Sequence, residues 1–463
     1  MMTEIYDKFK NDSRIKSADT IHRAKLQHNI NKYDASVKQG KKQYFYLELA
    51  KERAAFLKNK VIGDLEKFLI EFEVNFEKNG GKIIWAQNAN DALNEVTEII
   101  KKHGADYVVK SKTMVTEEIE LNNHLAKHQI DSIETDLGEY IVQLAGEHPY
   151  HIVTPAMHKS KEDVSELFTN NFGLPPNSSP ETITAFVREK LRKKFYDAKV
   201  GITGANFLVA DSGSVCISEN EGNALMSVSF PRVHIVIAGI EKVIPSLTNL
   251  DLFWPLLATH GTGQNITAYN SIISGPRQDH EVDGPSEMYV ILLDNGRSEV
   301  LSRPIQRSAL TCIRCGACLN VCPVYKTIGG HAYNTTYTGP IGSVITPWMK
   351  GLDNYKHLSF ASSLCGACTE TCPVKINLHE LLLQNRNDSV KNGNYTFFDA
   401  FSMWTWKKIM LNRKWMDTGS ARVKNFILKN FFAKAWGDKR QLPEISERNF
   451  KQLWEERREG KVK

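Results

Sequence analysis

The stretch Cys312-Ile-Arg-Cys315-Gly-Ala-Cys318-Leu-Asn-Val-Cys322-Pro323, with its shorter echo Cys365-Gly-Ala-Cys368-Thr-Glu-Thr-Cys372-Pro373, decides how the rest of the chain is read. The first run has the C-x2-C-x2-C-x3-C-P spacing in which three cysteines hold one iron-sulfur cluster and the fourth reaches a second. A cubane presents its iron corners a few ångströms apart, so three thiolates must come from one tight loop. The fourth corner faces away and is met by a distant segment. On that logic Cys312, Cys315, Cys318 and Cys372 hold a first cluster, and Cys322, Cys365 and Cys368 a second. Gly316 and Gly366 let backbone N–H groups approach the sulfurs, and Pro323 and Pro373 mark where the chain leaves each loop.

One corner of the second cluster lacks a thiol, because a complete second run would begin at position 362, which is Ser362. Three arrangements remain open: a three-iron cluster, a four-iron cluster with water or a small ligand on one iron, or ligation by the Ser362 or Ser363 oxygen. An electron relay with an unusual ligand is the expectation, ahead of an open iron that binds substrate. Tetrahedral zinc suits well-separated C-x2-C pairs and fits four cysteines within eleven residues poorly. A disulfide scaffold fits no better, since 7 of the 8 cysteines in 463 residues lie in these runs. The eighth, Cys216, sits in the apolar segment Ser-Val-Cys-Ile-Ser and reads as a buried, inert thiol.

A chain of 463 residues should form two or three domains with ample core. Hydrophobic residues at 41% and charged residues at 24% are ordinary for a water-soluble globular chain. The longest apolar runs, 233–240 and 289–293, fall far short of the roughly 18 residues of a membrane helix. Residues 1–16 are charged throughout and carry no apolar signal region, so a cytoplasmic location is expected. The net charge of +6 is uneven: residues 401–463 alone carry 16 Lys+Arg against 7 Asp+Glu, which leaves the rest acidic. That segment also holds Trp404, Trp406, Trp415, Trp436 and Trp454, five of the eight tryptophans. A basic, Trp-bearing tail suggests a docking surface for a protein partner or an anionic membrane face; the plainer reading is a helical tail whose aromatics pack on the body.

Along the chain, residues 44–69 carry apolar side chains at four-residue steps, as on one helix face, and Gly80-Gly81 ends that helix. Residues 82–86 read as the first strand, 90–103 as a helix with Ala92, Leu93, Val96 and Ile99 inward, and 107–109 as a strand. The apolar runs 140–144, 151–154, 207–210, 214–217, 233–240 and 288–293 alternate with helical stretches, which argues a layered α/β domain. Loops 203–206, 211–214 and 219–223 fall at strand ends, where such sheets hold ligands. No dinucleotide fingerprint or phosphate-binding loop occurs, and an anion site at Lys110, Lys112, Thr203 or Asn206 competes with ordinary turns and surface lysines. No hydrolase arrangement stands out. The 42 residues between Cys322 and Cys365 exceed a minimal two-cluster loop and should include helices. Within them, His331 reads as a hydrogen-bonded structural histidine rather than a ligand. A helix should follow Pro373, from Asn377 to Asn385.

The order of parts resembles a known family. Gly201-Ile-Thr-Gly-Ala-Asn-Phe207, Glu221-Gly-Asn223, Pro231-Arg-Val-His234 and Asp294-Asn-Gly-Arg297 resemble the LUD domain. The segment from Cys312 to Pro323, then Gly330-His-Ala-Tyr333, Gly339-Pro-Ile-Gly342 and Ser363-Leu-Cys-Gly-Ala-Cys368, is similar to the ferredoxin half of the lactate utilization protein B family, where a serine before the second run is also usual. The resemblance implies a helical N-terminal segment (1–75), a LUD-type α/β domain of isomerase or CoA-transferase-like fold (76–300), an α-helical ferredoxin-like two-cluster domain (301–390) and a basic helical C-terminal region (391–463). It further implies the iron-sulfur, electron-carrying component of a cytoplasmic system oxidising L-lactate to pyruvate, with two clusters, most simply 4Fe-4S, and a 3Fe-4S alternative for the second. Implied partners are a cysteine-rich A-type protein and a LUD-only C-type protein, with a peripheral membrane or quinone-linked acceptor; no catalytic residue is implied. The rival reading is an independent enzyme that binds a small carboxylate or CoA-type ligand and uses its clusters structurally. Nucleic-acid binding is disfavoured, because Glu455, Glu456 and Glu459 interrupt the basic tail.

Overall fold

The computed structural model describes residues 2–437 and 440–459. Those up to Lys391 form one compact unit and those from Asn392 onward a second.

The first unit is built on ten strands: β1 (Lys82–Ala86), β2 (Tyr107–Lys110), β3 (Asp131–Glu134), β4 (Val200–Thr203), β5 (Phe207–Val209), β6 (Ser214–Glu219), β7 (Val233–Gly239), β8 (Val243–Ile244), β9 (Tyr269–Ile273) and β10 (Glu287–Leu293). Six of them make a wholly parallel sheet in the order β1-β10-β7-β4-β2-β3. Every residue of β7 is buried, as is all of β10 after Glu287. Such near-continuous apolar strands are what a parallel sheet covered on both faces requires. One face packs on the helix Ala89–Lys102, whose Leu93, Val96 and Ile100 share a core with Ile235 and Ile291. The other face meets Phe68, Phe72 and Phe76 of the helix Leu65–Lys78 and the inner side of a four-stranded sheet, β8-β5-β6-β9.

The chain leaves β2 outward to β3, then returns to the opposite side of β2 as β4 and continues through β7 and β10 toward β1. The loops after β2 and β4 therefore diverge. In open α/β sheets the crevice at such a reversal, beyond the carboxyl ends of the strands, is where ligands bind.

The mixed α/β class, with a parallel sheet followed by a helical cysteine region and a helical C-terminus, is as expected from the sequence, but several elements differ. The helix expected to run unbroken to Gly80 divides at Asp64, whose φ of −141° and ψ of 49° lie outside helical space, into Leu47–Gly63 and Leu65–Lys78. The run 140–144 is not a strand but part of the helix Leu137–Leu144, because the Asp136 carboxylate accepts a hydrogen bond from the Glu139 amide (3.0 Å) and starts the helix. Residues 151–154 form no regular element. Strands β3, β4, β8 and β9 have two to five residues each, too short for an alternation to register. The insert between the cysteine runs does hold helices, including Gly339–Lys350 and Leu352–Phe360, and the helix after Pro373 extends from Leu378 to Lys391.

The second unit is a series of helices, including Phe397–Met410, Ala421–Ile427 and Phe450–Arg458. No described residue from Asn392 onward is buried, and Phe397 and Phe398 are 86% and 75% exposed. None of the described helices is long and apolar enough to cross a membrane.

Candidate iron-sulfur centre and the cavity beside it

The two cysteine runs fold alike. The residue before the second motif position has a left-handed backbone in each, Arg314 at φ 61° and Leu364 at φ 53°. Gly316 and Gly366 follow at φ 78° and 82°, each starting a five-residue helix, Ala317–Val321 and Ala367–Thr371. Cys322 and Cys372 then end those helices in extended backbone. At Gly316 the conformation is reinforced by space, since a Cβ there would lie 2.8 Å from a methyl of Ile152.

Cys312, Cys315, Cys318 and Cys372 line one small cavity, closed by Ile341, Val374 and Ile376. The thiol from the distant run thus faces the three from the first. Burial pushes the Cys372 thiol up to about 11 and those of Cys315 and Cys318 higher, each raised further by the other thiols of this group. Cys322 and Cys368 instead feel Cys365, so the electrostatic neighbours divide into sets of four and three. No cysteine among the seven is in a disulfide. An all-thiol lining in an apolar wall fits an iron-sulfur group. Backbone amides support it: Arg314 N donates to Cys312 Sγ and Ile376 N to Cys372 Sγ, both at 3.4 Å.

The three-thiol site is more open. Cys365 is exposed, and the Ala367 amide and then the Ser363 hydroxyl draw its thiol below the usual range. Ser362 Oγ accepts from Leu364 N at 3.2 Å, the same two-residue-on amide contact that Cys312 Sγ receives. His331 is engaged with other groups: its Nε2 bonds the His148 carbonyl at 2.7 Å and its ring meets Tyr150 edge-on. Cys216 is buried, and burial pushes its thiol up to about 12.

Beside the four-thiol site lies a cavity of about 540 Å³ at the carboxyl ends of β2, β4 and β7. Arg314 and Cys315 line both cavities. Ser111 and Thr113 after β2, Gly204 and Asn206 after β4, and Lys242 after β7 form its floor. Of the four anion-binding candidates in the sequence, Lys112 and Asn206 reach this cavity, whereas Lys110 and Thr203 do not. Lys110 is fully buried against Glu134 (2.7 Å) and Glu117 (3.3 Å), and Thr203 Oγ1 bonds His234 Nε2 at 2.8 Å.

A buried ionic chain fastens the cysteine region to the sheet. Arg297 bonds both oxygens of Glu118 (2.9 and 2.8 Å) and Glu241 (2.6 Å), Arg314 bonds Glu241 from the cysteine loop (3.2 Å), and Tyr337 donates to Glu118 (2.6 Å). Sequence reasoning missed Glu241, Lys242, Arg314 and Tyr337. The available signal was a Glu-Lys pair interrupting an apolar run and an arginine inside the cysteine motif.

Residues 69–293 match the LUD domain family, and residues 308–376 match the 4Fe-4S dicluster domain family. Lactate utilization protein B of Bacillus cytotoxicus is 41% identical over 415 residues, covering 87% of each chain. The chain belongs to the lactate utilization protein B family. Two further family members, lactate utilization protein B 2 of Bacillus mycoides and lactate utilization protein B of Bacillus cereus, are 40% identical over the same 87% of each chain. Family membership brings with it an iron-sulfur cofactor, in keeping with the thiol-lined cavity.

Proposed function

We propose that this chain serves lactate utilization as the iron-sulfur electron-transfer component of a cytoplasmic system that oxidises L-lactate to pyruvate. The observation that carries the reading is the convergence of Cys372 with Cys312, Cys315 and Cys318 on one cavity, the crossed pairing a two-cluster module needs. The relatives' names supply the pathway. Cys312, Cys315, Cys318 and Cys372 would hold a first four-iron cluster, and Cys322, Cys365 and Cys368 a second.

When bound, such clusters accept and release single electrons. Oxidation of lactate to pyruvate gives up two electrons and two protons, so a pair of one-electron centres matches the stoichiometry. The protein's own contribution is placement and field. Buried Cys315 and Cys318 hold the first site inside, and exposed Cys365 brings the second to the surface where a partner can exchange electrons. Amides of Arg314 and Ile376 and the cations Lys242 and Arg314 near Cys312 favour added negative charge at the first site. The partners that fit are a cysteine-rich A-type protein and a LUD-only C-type protein, with a peripheral membrane or quinone-linked acceptor. The exposed aromatics and basic charge of the second unit suit docking on either.

The test is anaerobic purification. The protein is expected to be brown, to hold about seven to eight iron atoms, and to be reduced by lactate when its partners are present. Colourless protein containing zinc, or full iron with no role in lactate-dependent reduction, would reject the reading.

A further inference from the structure

Around the 540 Å³ cavity most charged groups have partners inside the protein. Lys112 pairs with Asp136 at 3.3 Å. Glu219 accepts from the Ala224 and Leu225 amides (2.7 and 2.8 Å), and Glu221 accepts from the Asn220 amide (3.1 Å). Asn206 accepts from Ser218 N at 2.8 Å, and Asn220 and Gln264 bond each other at 2.9 Å. Two cationic donors at the cysteine end stand apart. Lys242 is only 8% exposed and its ammonium bonds none of the described residues, and Arg314 Nη1 is buried without an acceptor although Nη2 bonds Glu241. A buried charged donor left unmet is costly, more so than a neutral one. Arg314 Nη1 is such a donor, and Lys242, which lines the cavity without a partner for its ammonium, adds a second positive charge beside it; at the reversal point of an α/β sheet the pair calls for an acceptor that the chain itself does not supply.

We propose that this cavity binds a small organic carboxylate, held by the Lys242 ammonium in the field of the Arg314 guanidinium, next to Cys315. Asp136, Glu219 and Glu221, which also line the cavity, repel a second anionic group, so a monocarboxylate fits better than a dicarboxylate. Their oxygens can accept from a hydroxyl. The cavity exceeds a three-carbon acid, and the remaining polar space suits water or a longer hydroxy acid. The proposal deepens the functional reading by naming the ligand class that would sit beside the first cluster, but binding does not itself depend on electron transfer. The rival use of the same charges is as counter-ions to the cluster alone, since Cys312 lies in their field.

The two uses separate in a titration of the anaerobic, iron-loaded full chain by calorimetry, with L-lactate, pyruvate and the neutral analogue lactamide as probes. Saturable binding of lactate or pyruvate is expected, with lactamide about tenfold weaker or worse. Lys242→Gln is expected to weaken carboxylate binding by about tenfold or more at unchanged iron content, and Lys242→Arg to restore it to within about threefold, because it keeps the charged donor. Absence of saturable binding, equal affinity for lactamide, unaltered binding in Lys242→Gln, or loss of iron from Lys242→Gln without rescue by Lys242→Arg would each overturn the proposal. Binding without lactate-dependent reduction would sink the electron-transfer reading and leave this one standing.

Discussion

The two cysteine runs share a backbone and differ in almost everything else. The first is walled by Ile152, Ile341 and Val374, beside a charged cavity and fastened by Arg314 to Glu241. The second presents Cys365 to solvent and has Ser362 where its twin has Cys312. A repeated loop thus stands in two settings, one interior and beside the cavity at the sheet's reversal, the other peripheral. Loop geometry alone does not specify a centre's role; the wall around it does.

The largest test of this contrast is Cys372→Ala. If the runs exchange their last cysteines, this substitution in the second run should empty the first site, removing about four iron atoms and its paramagnetic signal, as read by iron analysis and electron paramagnetic resonance. Loss of the signal belonging to the exposed site instead would undo the pairing. Exposure to air or a chelator should come next in size: the site with Cys365 should bleach well before the buried one, followed by absorbance and resonance over time. Equal rates would erase the distinction between inside and outside.

Ser362→Cys sharpens the comparison from the other side. Because Ser362 Oγ receives the Leu364 amide as Cys312 Sγ receives that of Arg314, a thiol there should complete the second set and change its resonance signal while leaving the first untouched. An unchanged second signal would mean that Oγ does not stand where the fourth ligand belongs. The smallest effects are those of the two glycines. Gly366→Ala meets no atom within 4 Å and should cost about 1 kcal/mol for its left-handed backbone alone. Gly316→Ala must also displace Ile152, for about 2–3 kcal/mol in all. Chemical denaturation of the loaded protein measures both, and equal costs would contradict the difference in walls.

The meeting of Cys372 with Cys312, Cys315 and Cys318 at one cavity was legible beforehand because cysteine spacing is a covalent-scale constraint: thiols that bracket a rigid object keep their intervals in the sequence. The central strands were legible for a similar reason, since burial on both faces of β7 and β10 leaves unbroken apolar runs. The helix at Leu137–Leu144 was misread because a five-residue run with four apolar side chains satisfies either period, and the deciding feature was one carboxylate, Asp136. Lys242 and Arg314 could not be singled out, because an unpartnered charge is defined by what fails to surround it, and that depends on segments more than 70 residues apart, such as Glu241 and Arg314.

The linkage Arg297–Glu118–Tyr337 and Arg297–Glu241–Arg314 has a consequence for how such a chain can be divided. Separating the sheet from the cysteine region, as two genes or two expressed fragments, would take Tyr337 from Glu118 and one of its two arginines from Glu241, and leave Arg314 without its carboxylate. Fragments of this kind would have to reunite to give these buried charges their partners back, so here the ionic joint matters as much as the covalent one.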